Sequence, residues 1–219
     1  VRDGHFMLGS VTDRHTYNRG PATGVCFQHV YPSRQSSVHL ETFRELAVAI
    51  TEVFEIKHGP IYIQCIVSDD SVWLVEATCR LGGGHEGKLV EFATGSHFDA
   101  RLLDLCLTGE SSGMQKLPDF PVSGCYNLIT FLLAQPGRFE AIDIADTARG
   151  VVQGDSYYSR GYCQQTIVDG QGRVGFLHCQ GNSRDDMLEN AFAAYNSCQI
   201  LDRDGKNLLF WPATEDLNL

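Results

Sequence analysis

Three features of this 219-residue sequence predict an α+β fold. Strand-like and helix-like segments are mixed without the repeated βαβ unit of a doubly wound sheet. Two apolar runs near residues 61–77 read as an antiparallel hairpin. A stretch rich in Gly, Ser and Pro separates two textures, which predicts a unit over residues 1–110, a linker over 111–121 and a small α+β unit over 122–219.

The elements follow in order. Loose alternation over residues 5–12 predicts a strand entering a turn at Asp13 and Arg14. Gly20, Pro21 and Gly24 mark a loop, and residues 25–30 form a second strand closed by Pro32 and Ser33. Ser36 and Ser37 can cap a helix whose stripe is Phe43, Leu46, Ala47, Ile50, Val53 and Phe54. It ends before Gly59 and Pro60. The hairpin strands span 61–67 and 72–77, with a turn at Asp69 and Asp70. A helix over 85–93 follows Gly82, Gly83 and Gly84, and Ser96 with Asp99 resembles a capping box for a helix to Leu107.

Beyond the linker, short strands are predicted at 124–134, 149–153, 163–168 and 173–179, with Gly170 and Gly172 in a hairpin turn between the last two. Ser183 opens a final helix with Asp185 and Asp186 in its first turn, where the helix dipole favours acids. Its apolar face is Met187, Leu188, Ala191, Phe192, Tyr195 and Cys198.

Charge excludes some functions. There are 17 Lys plus Arg against 27 Asp plus Glu, a net charge of -10, and no basic stripe. Binding to nucleic acid or to an anionic membrane is disfavoured. No apolar run approaches the ~18 residues of a membrane span, and the first residues lack a signal-peptide pattern. The eight cysteines lack zinc-knuckle spacing, and several lie in apolar runs. Buried reduced thiols in a cytoplasmic protein are expected. The sequence starts at Val1 rather than Met, which suggests a piece of a longer protein.

The chemistry concentrates in residues 59–80. A turn centred on Asp70 would pair residues whose numbers sum to 140. One face then carries Ile61, Ile63, Cys65, Val67, Trp73, Val75, Ala77 and Cys79, all apolar. The other carries Tyr62, Gln64, Ile66, Val72, Leu74, Glu76, Thr78 and Arg80, with Gln64 opposite Glu76 at a Cβ separation of ~5 Å. Apolar neighbours predict a half-sheltered Glu76, which calls for a cation. Arg80 can supply it as an ion-pair partner, or a hard metal ion such as Mg²⁺ can, with Gln64 and Thr78 adding oxygens. Gly82, Gly83 and Gly84 before a helix let backbone N–H groups approach an anion, so a phosphate or acyl-phosphate site is a candidate.

The run from Gly59 to Gln64, followed by Glu76-Ala-Thr-Cys-Arg80-Leu-Gly-Gly-Gly-His85, resembles the ATP-grasp superfamily, whose members carry a Glu-x-Asn-x-Arg strand. His29-Val-Tyr-Pro-Ser33 is similar to a family segment upstream. Residues 122–205 more loosely resemble the small C-terminal domain of amino-acid ligases and biotin-carboxylase-like enzymes. The resemblance implies an ATP-grasp-like antiparallel sheet flanked by helices, with ATP and Mg²⁺ as cofactors. It implies an ADP-forming carboxylate–amine ligase, in which ATP phosphorylates a carboxylate and an amine displaces the phosphate from the acyl phosphate. Its partners would be a small-molecule carboxylate and amine, an N-terminal ATP-grasp lobe outside this sequence and, as one option, a second copy in a homodimer. Glu76, Gln64 and Thr78 would be metal ligands, and Arg80 would hold the transferring phosphoryl group beside Gly82, Gly83 and Gly84. The sequence departs from the pattern at Thr78, which stands in the Asn position, and at Gln64, which is neutral. One carboxylate then faces the metal.

Other residues have two readings. His29 can face a substrate carboxylate or phosphate, or sit in the core. His85 can donate to an oxyanion as a neutral imidazole at a helix start. Arg14 can clamp an acidic group or lie on the surface. Tyr157 and Tyr158 can line a cleft or serve packing. The alternatives to the ligase are a non-catalytic ATP-grasp-like module binding a nucleotide or metabolite, and an unrelated α+β domain whose glycine loop is only structural.

Overall fold

A computed structural model describes residues 1–18, 20–68, 71–109, 124 and 126–210. In chain order the elements are β1 (Asp13–Thr16), β2 (Cys26–Tyr31), α1 (Ser36–Val53), β3 (Tyr62–Ser68), β4 (Ser71–Thr78), α2 (Glu86–Thr94), α3 (Phe98–Thr108), β5 (Tyr126–Leu133), β6 (Gly137–Arg138), β7 (Ala141–Asp143), β8 (Val151–Ser156), β9 (Cys163–Gln164), β10 (Arg173–Gly181), α4 (Arg184–Ser197) and β11 (Gln199–Leu201). The fold is α+β and its strand pairs are antiparallel, as the sequence predicts. None of the described helices is long and apolar enough to cross a membrane.

The chain forms two compact units. The first comprises residues 1–12 and 32–123, and the second 13–31 and 124–219. The division expected from the sequence is linear, whereas this one is not. The reason is hydrogen bonding: β2 pairs with β5, a strand nearly a hundred residues later. The expected linker over 111–121 lies outside the described residues.

In the first unit, α1 carries the predicted stripe only in part. Ala47 and Ile50 are buried, whereas Val53 and Phe54 are exposed. The serine cap is not made by Ser36 or Ser37. Instead the Ser33 hydroxyl accepts the Gln35 N–H at 3.0 Å, one turn earlier. The capping box at Ser96 and Asp99 does not form either, since α3 has no side-chain cap. The Ser96 N–H donates to the Thr94 hydroxyl.

The second unit is built on a five-stranded sheet in the order β1-β2-β5-β10-β8. The expected strand over 5–12 is absent. Strand β1 starts at Asp13, where a turn was expected, because the edge of β2 offers partners there, Asp13 opposite Val30. Strand β5 is buried beyond Tyr126, including its polar residues Asn127 and Thr130. One sheet face packs on α4, joining Val30, Leu128, Leu132, Leu177 and Cys179 to Met187, Ala191 and Ala194. Ser183 caps α4 as predicted, accepting the Asp186 N–H at 3.1 Å. Strands β9 and β10 do not form a hairpin. Residues 170–172 make a 3₁₀ turn, β9 pairs with β6, and β10 sits between β5 and β8.

Candidate active site

The hairpin of β3 and β4 holds most of the candidate ligands. Its register follows the sequence reading at the end near Thr78 and departs from it near the tip. Tyr62 pairs with Thr78, Ile63 with Ala77 and Gln64 with Glu76. The register then shifts, so that Cys65 pairs with Leu74 and Ile66 with Trp73. Val75 is the extra residue of a β-bulge. The tip is a two-residue connection, Asp69 and Asp70, whose own structure lies outside the described residues. The bulge exchanges faces, so the expected lists are corrected. Trp73 joins the side of Ile66 and Gln64, while Leu74 and Val72 join that of Cys65 and Val67.

Cross-strand partners share a face, and so do residues two apart along a strand. Gln64, Glu76 and Thr78 therefore form one patch. Glu76 is exposed, against the expectation of half-shelter, because this two-stranded ribbon has no third strand among the described residues. It does not pair with Arg80. The Arg80 guanidinium donates to its neighbour's carbonyl, Leu81 O, at 2.8 Å, and the side chain is exposed. Thr78 differs, since its hydroxyl is buried without a hydrogen-bond partner. A buried hydroxyl of that kind leaves about 1–3 kcal/mol of hydrogen-bonding capacity unused. A carboxylate, an amide oxygen and an unsatisfied hydroxyl are hard oxygen donors and suit Mg²⁺. No group of three or more His, Cys, Asp or Glu gathers for a metal among the described residues, so a metal here would rely on Gln64 and Thr78 beside the acid.

The glycine loop holds an anion of its own. Glu86, in the first turn of α2, accepts the Gly84 N–H at 2.7 Å. A Cβ placed on Gly82 would stand 2.6 Å from the Glu86 carboxylate carbon and both its oxygens. Gly82 is thus the floor under an internal carboxylate, and the N–H of Gly84 is committed to it. His85 caps α2 with φ 60°, a left-handed conformation uncommon outside glycine, and makes the sharp entry from loop to helix.

His29 belongs to the second unit. It is buried in β2, its Nε2 lies 3.5 Å from Cys26 Sγ, and its ring stands edge-on to Phe131 at 6.1 Å. Arg14 is exposed on β1 opposite His29. Tyr157 stacks on Phe176 at 6.0 Å and Tyr158 on Tyr162 at 3.6 Å, so both serve packing. Sequence reasoning missed Glu86, for which an acid directly after three glycines and a histidine was a usable signal.

No protein-family model matches the chain, and neither does any curated protein. Solved structures do. Phosphoribosylglycinamide synthetase from Anaerococcus prevotii is similar at a TM-score of 0.78 and 14% identity, over 93% of this chain and 51% of that one. The L-amino acid ligase from Bacillus licheniformis is similar at 0.75 and 18%, over 92% and 52%. The biotin carboxylase domain dimer of the 2-oxoglutarate carboxylase from Hydrogenobacter thermophilus, in complex with ADP magnesium salt, ADP and bicarbonate, is similar at 0.58 and 13%, over 80% and 39%. The chain shares its fold with these structures, and that fold is ATP-grasp-like, as the resemblance implies. This chain spans about half the length of the first two.

Proposed function

We propose that this chain is part of an ATP-dependent, ADP-forming carboxylate–amine ligase acting through an acyl phosphate. The observation that carries the reading is the patch of Gln64, Glu76 and Thr78, with its unsatisfied buried hydroxyl, on a hairpin within a ligase-type fold. Glu76 would hold Mg²⁺ with the oxygens of Gln64 and Thr78. When bound, the ion offsets phosphate charge and the nucleotide supplies the phosphoryl group. Arg80, exposed and held among the described residues through Leu81 O alone, would turn toward an anion. His85 would orient the loop–helix junction. Gly83 would face the phosphates, while Gly82 and Gly84 are occupied by the Glu86 carboxylate. The substrates would be a small carboxylate and an amine, and the described cysteines, all free, suit a reducing cytoplasm.

The test uses the longest natural form of the protein. ADP release with Mg²⁺, a carboxylate panel and an amine panel should fall at least about a hundredfold in Glu76→Ala and Arg80→Ala. Turnover undiminished in both would remove the assignment. The 219-residue chain alone is expected to bind Mg-ATP weakly. A second reading, a non-catalytic nucleotide- or metabolite-binding module, is favoured by the single carboxylate in the patch. Tight Mg-ATP binding without ADP release would select it.

A further inference from the structure

Val1 and Arg2 bond to two different stretches of the first unit. The Val1 amino group donates to Gly59 O at 2.8 Å, and the Gly59 N–H donates back to Val1 O at 3.1 Å. Arg2 instead exchanges both backbone bonds with His5, at 2.9 and 2.8 Å, across Asp3 and Gly4. Those two residues have φ of 51° and 77°, both left-handed, as in the two-residue turns that join twisted antiparallel strands. Successive residues that bond to opposite sides belong to a central strand, because an edge strand leaves one side to water. Val1 and Arg2 thus have strand partners on both sides, His5 on one and Gly59 on the other.

Both flanks run on as open edges. Beyond His5, residues 6–10 have no backbone hydrogen bond to another described residue. Beyond Gly59, β3 pairs with β4 alone among the described residues. Counting from the two-residue tip, Ser68, Ile66, Gln64 and Tyr62 bond toward β4. Ile61, Ile63, Cys65 and Val67 turn their N–H and C=O groups to the other edge, in step with Gly59. Pro60, without an N–H, falls at a position that does not bond to that edge. A two-stranded ribbon by itself is at best marginally stable in water. The amino group at Val1 adds a mismatch. Val1 is buried, and desolvation holds the amine below its usual pKa. A peptide N–H would make the same bond to Gly59 O with no charge to desolvate.

We propose that residues 6–10 and β3 bound a slot for one further β-strand, formed by polypeptide joined to Val1 and running antiparallel to both. The two bonded pairs set its direction and register. Val1 opposite Gly59 puts the second residue before Val1 opposite Ile61, the fourth opposite Ile63 and the sixth opposite Cys65. Arg2 opposite His5 puts the residue directly before Val1 opposite Met7. The flanks are apolar, with Phe6, Met7 and Leu8 on one side and Ile61, Ile63 and Val67 on the other, so a strand rich in β-branched and aromatic residues fits. Once filled, the slot makes a four-stranded antiparallel sheet in which β3, with Gln64, is an inner strand. The slot does not rest on the ligase reading, since it is built from backbone groups of one unit.

The test is amide exchange by NMR on the 219-residue chain carrying one of two N-terminal extensions of about seven residues, a Val/Thr repeat or a Gly/Ser repeat. The Val/Thr extension should slow exchange of the Ile63, Cys65 and Met7 N–H groups at least about tenfold relative to Gly/Ser, with β5 amides unchanged as the check on folding. Proline at the fourth position before Val1 in the Val/Thr extension should return Ile63 to the Gly/Ser rate. Equal exchange in the two extended chains would overturn the slot. So would slowing on the β4 amides in place of β3, which puts the added strand on the other edge. Slowing that grows with protein concentration would overturn the occupant, since a second copy then supplies the strand. The longest natural form gives a readout free of design: fast exchange at Ile63 and Cys65 there would overturn the assignment as well.

Discussion

One methyl group at Gly82 would displace the Glu86 carboxylate from its seat. That side chain is long enough to swing away, so the expected cost of Gly82→Ala is the lost charge-assisted hydrogen bond to Gly84, about 1.5–3 kcal/mol. Glu86→Ala should lose a similar amount. The double variant should lose no more than either single one, because both remove the same contact. Denaturant unfolding of the three proteins checks this, and simple additivity would show that the carboxylate and the loop are independent. A second residue-level expectation concerns Glu140. Arg138 and then Arg160, at 3.0 and 3.1 Å, hold its carboxyl below the usual glutamate range. A lowered value in the folded state means that the stabilisation is present above the unfolded pKa and is lost as pH falls through the folded one. Arg138→Ala should move the carboxyl titration up toward the ordinary value in an NMR pH series, and no upward movement would refute the cause. Residues were legible in the sequence where chemistry is local. Turn counting puts Gln64 opposite Glu76, and the structure agrees only because the bulge at Val75 offsets the one-residue difference at the tip. The exposure of Glu76 was not legible, because it depends on how many strands join the ribbon.

The β-bulge at Val75 shows what elements hide. Both faces of the hairpin are largely apolar near its tip, so hydrophobic alternation sets no register there and a one-residue slip leaves no mark in the sequence. The expected strand over 5–12 failed for a related reason, since loose alternation cannot say which segment finds a partner edge. Helix α4 was read correctly apart from Phe192, which is exposed, because its signals are contained within it: Ser183 as cap, two acids in the first turn and apolar residues at helical spacing. Ser183→Ala should therefore destabilise the protein by about 1 kcal/mol. A change below a few tenths of a kcal/mol in urea unfolding would mean that water replaces the hydroxyl without loss. At the start of α2, the left-handed His85 is the opposite case, a backbone conformation that its residue type does not announce.

At the scale of the molecule, the α+β class was legible but the grouping of its parts was not. The break in texture near residue 110 is a fact of composition, whereas the units follow strand pairing. Strand β5 has β2 on one side and β10 on the other. Removing residues 13–31 would strip β5 of one neighbour and expose an apolar edge, which is an aggregation hazard. A fragment beginning at Gly124 is therefore expected to be insoluble or poorly ordered by circular dichroism and amide exchange. A soluble fragment with protected β5 amides would show that the early strands are dispensable. The ion pair of Arg184 with Asp13, at 2.5 Å and largely buried, ties the same early strand to α4.

The pairing of β2 with β5 also has a consequence in time. During synthesis the ribosome releases β1 and β2 long before β5 exists, and β10 later still. β1 and β2 can pair with each other, but the other edge of β2 must wait for β5, so the nascent chain carries an open strand edge until β5 emerges. Chaperone capture of the nascent chain would follow from that delay, and it should end once β10 has cleared the exit tunnel.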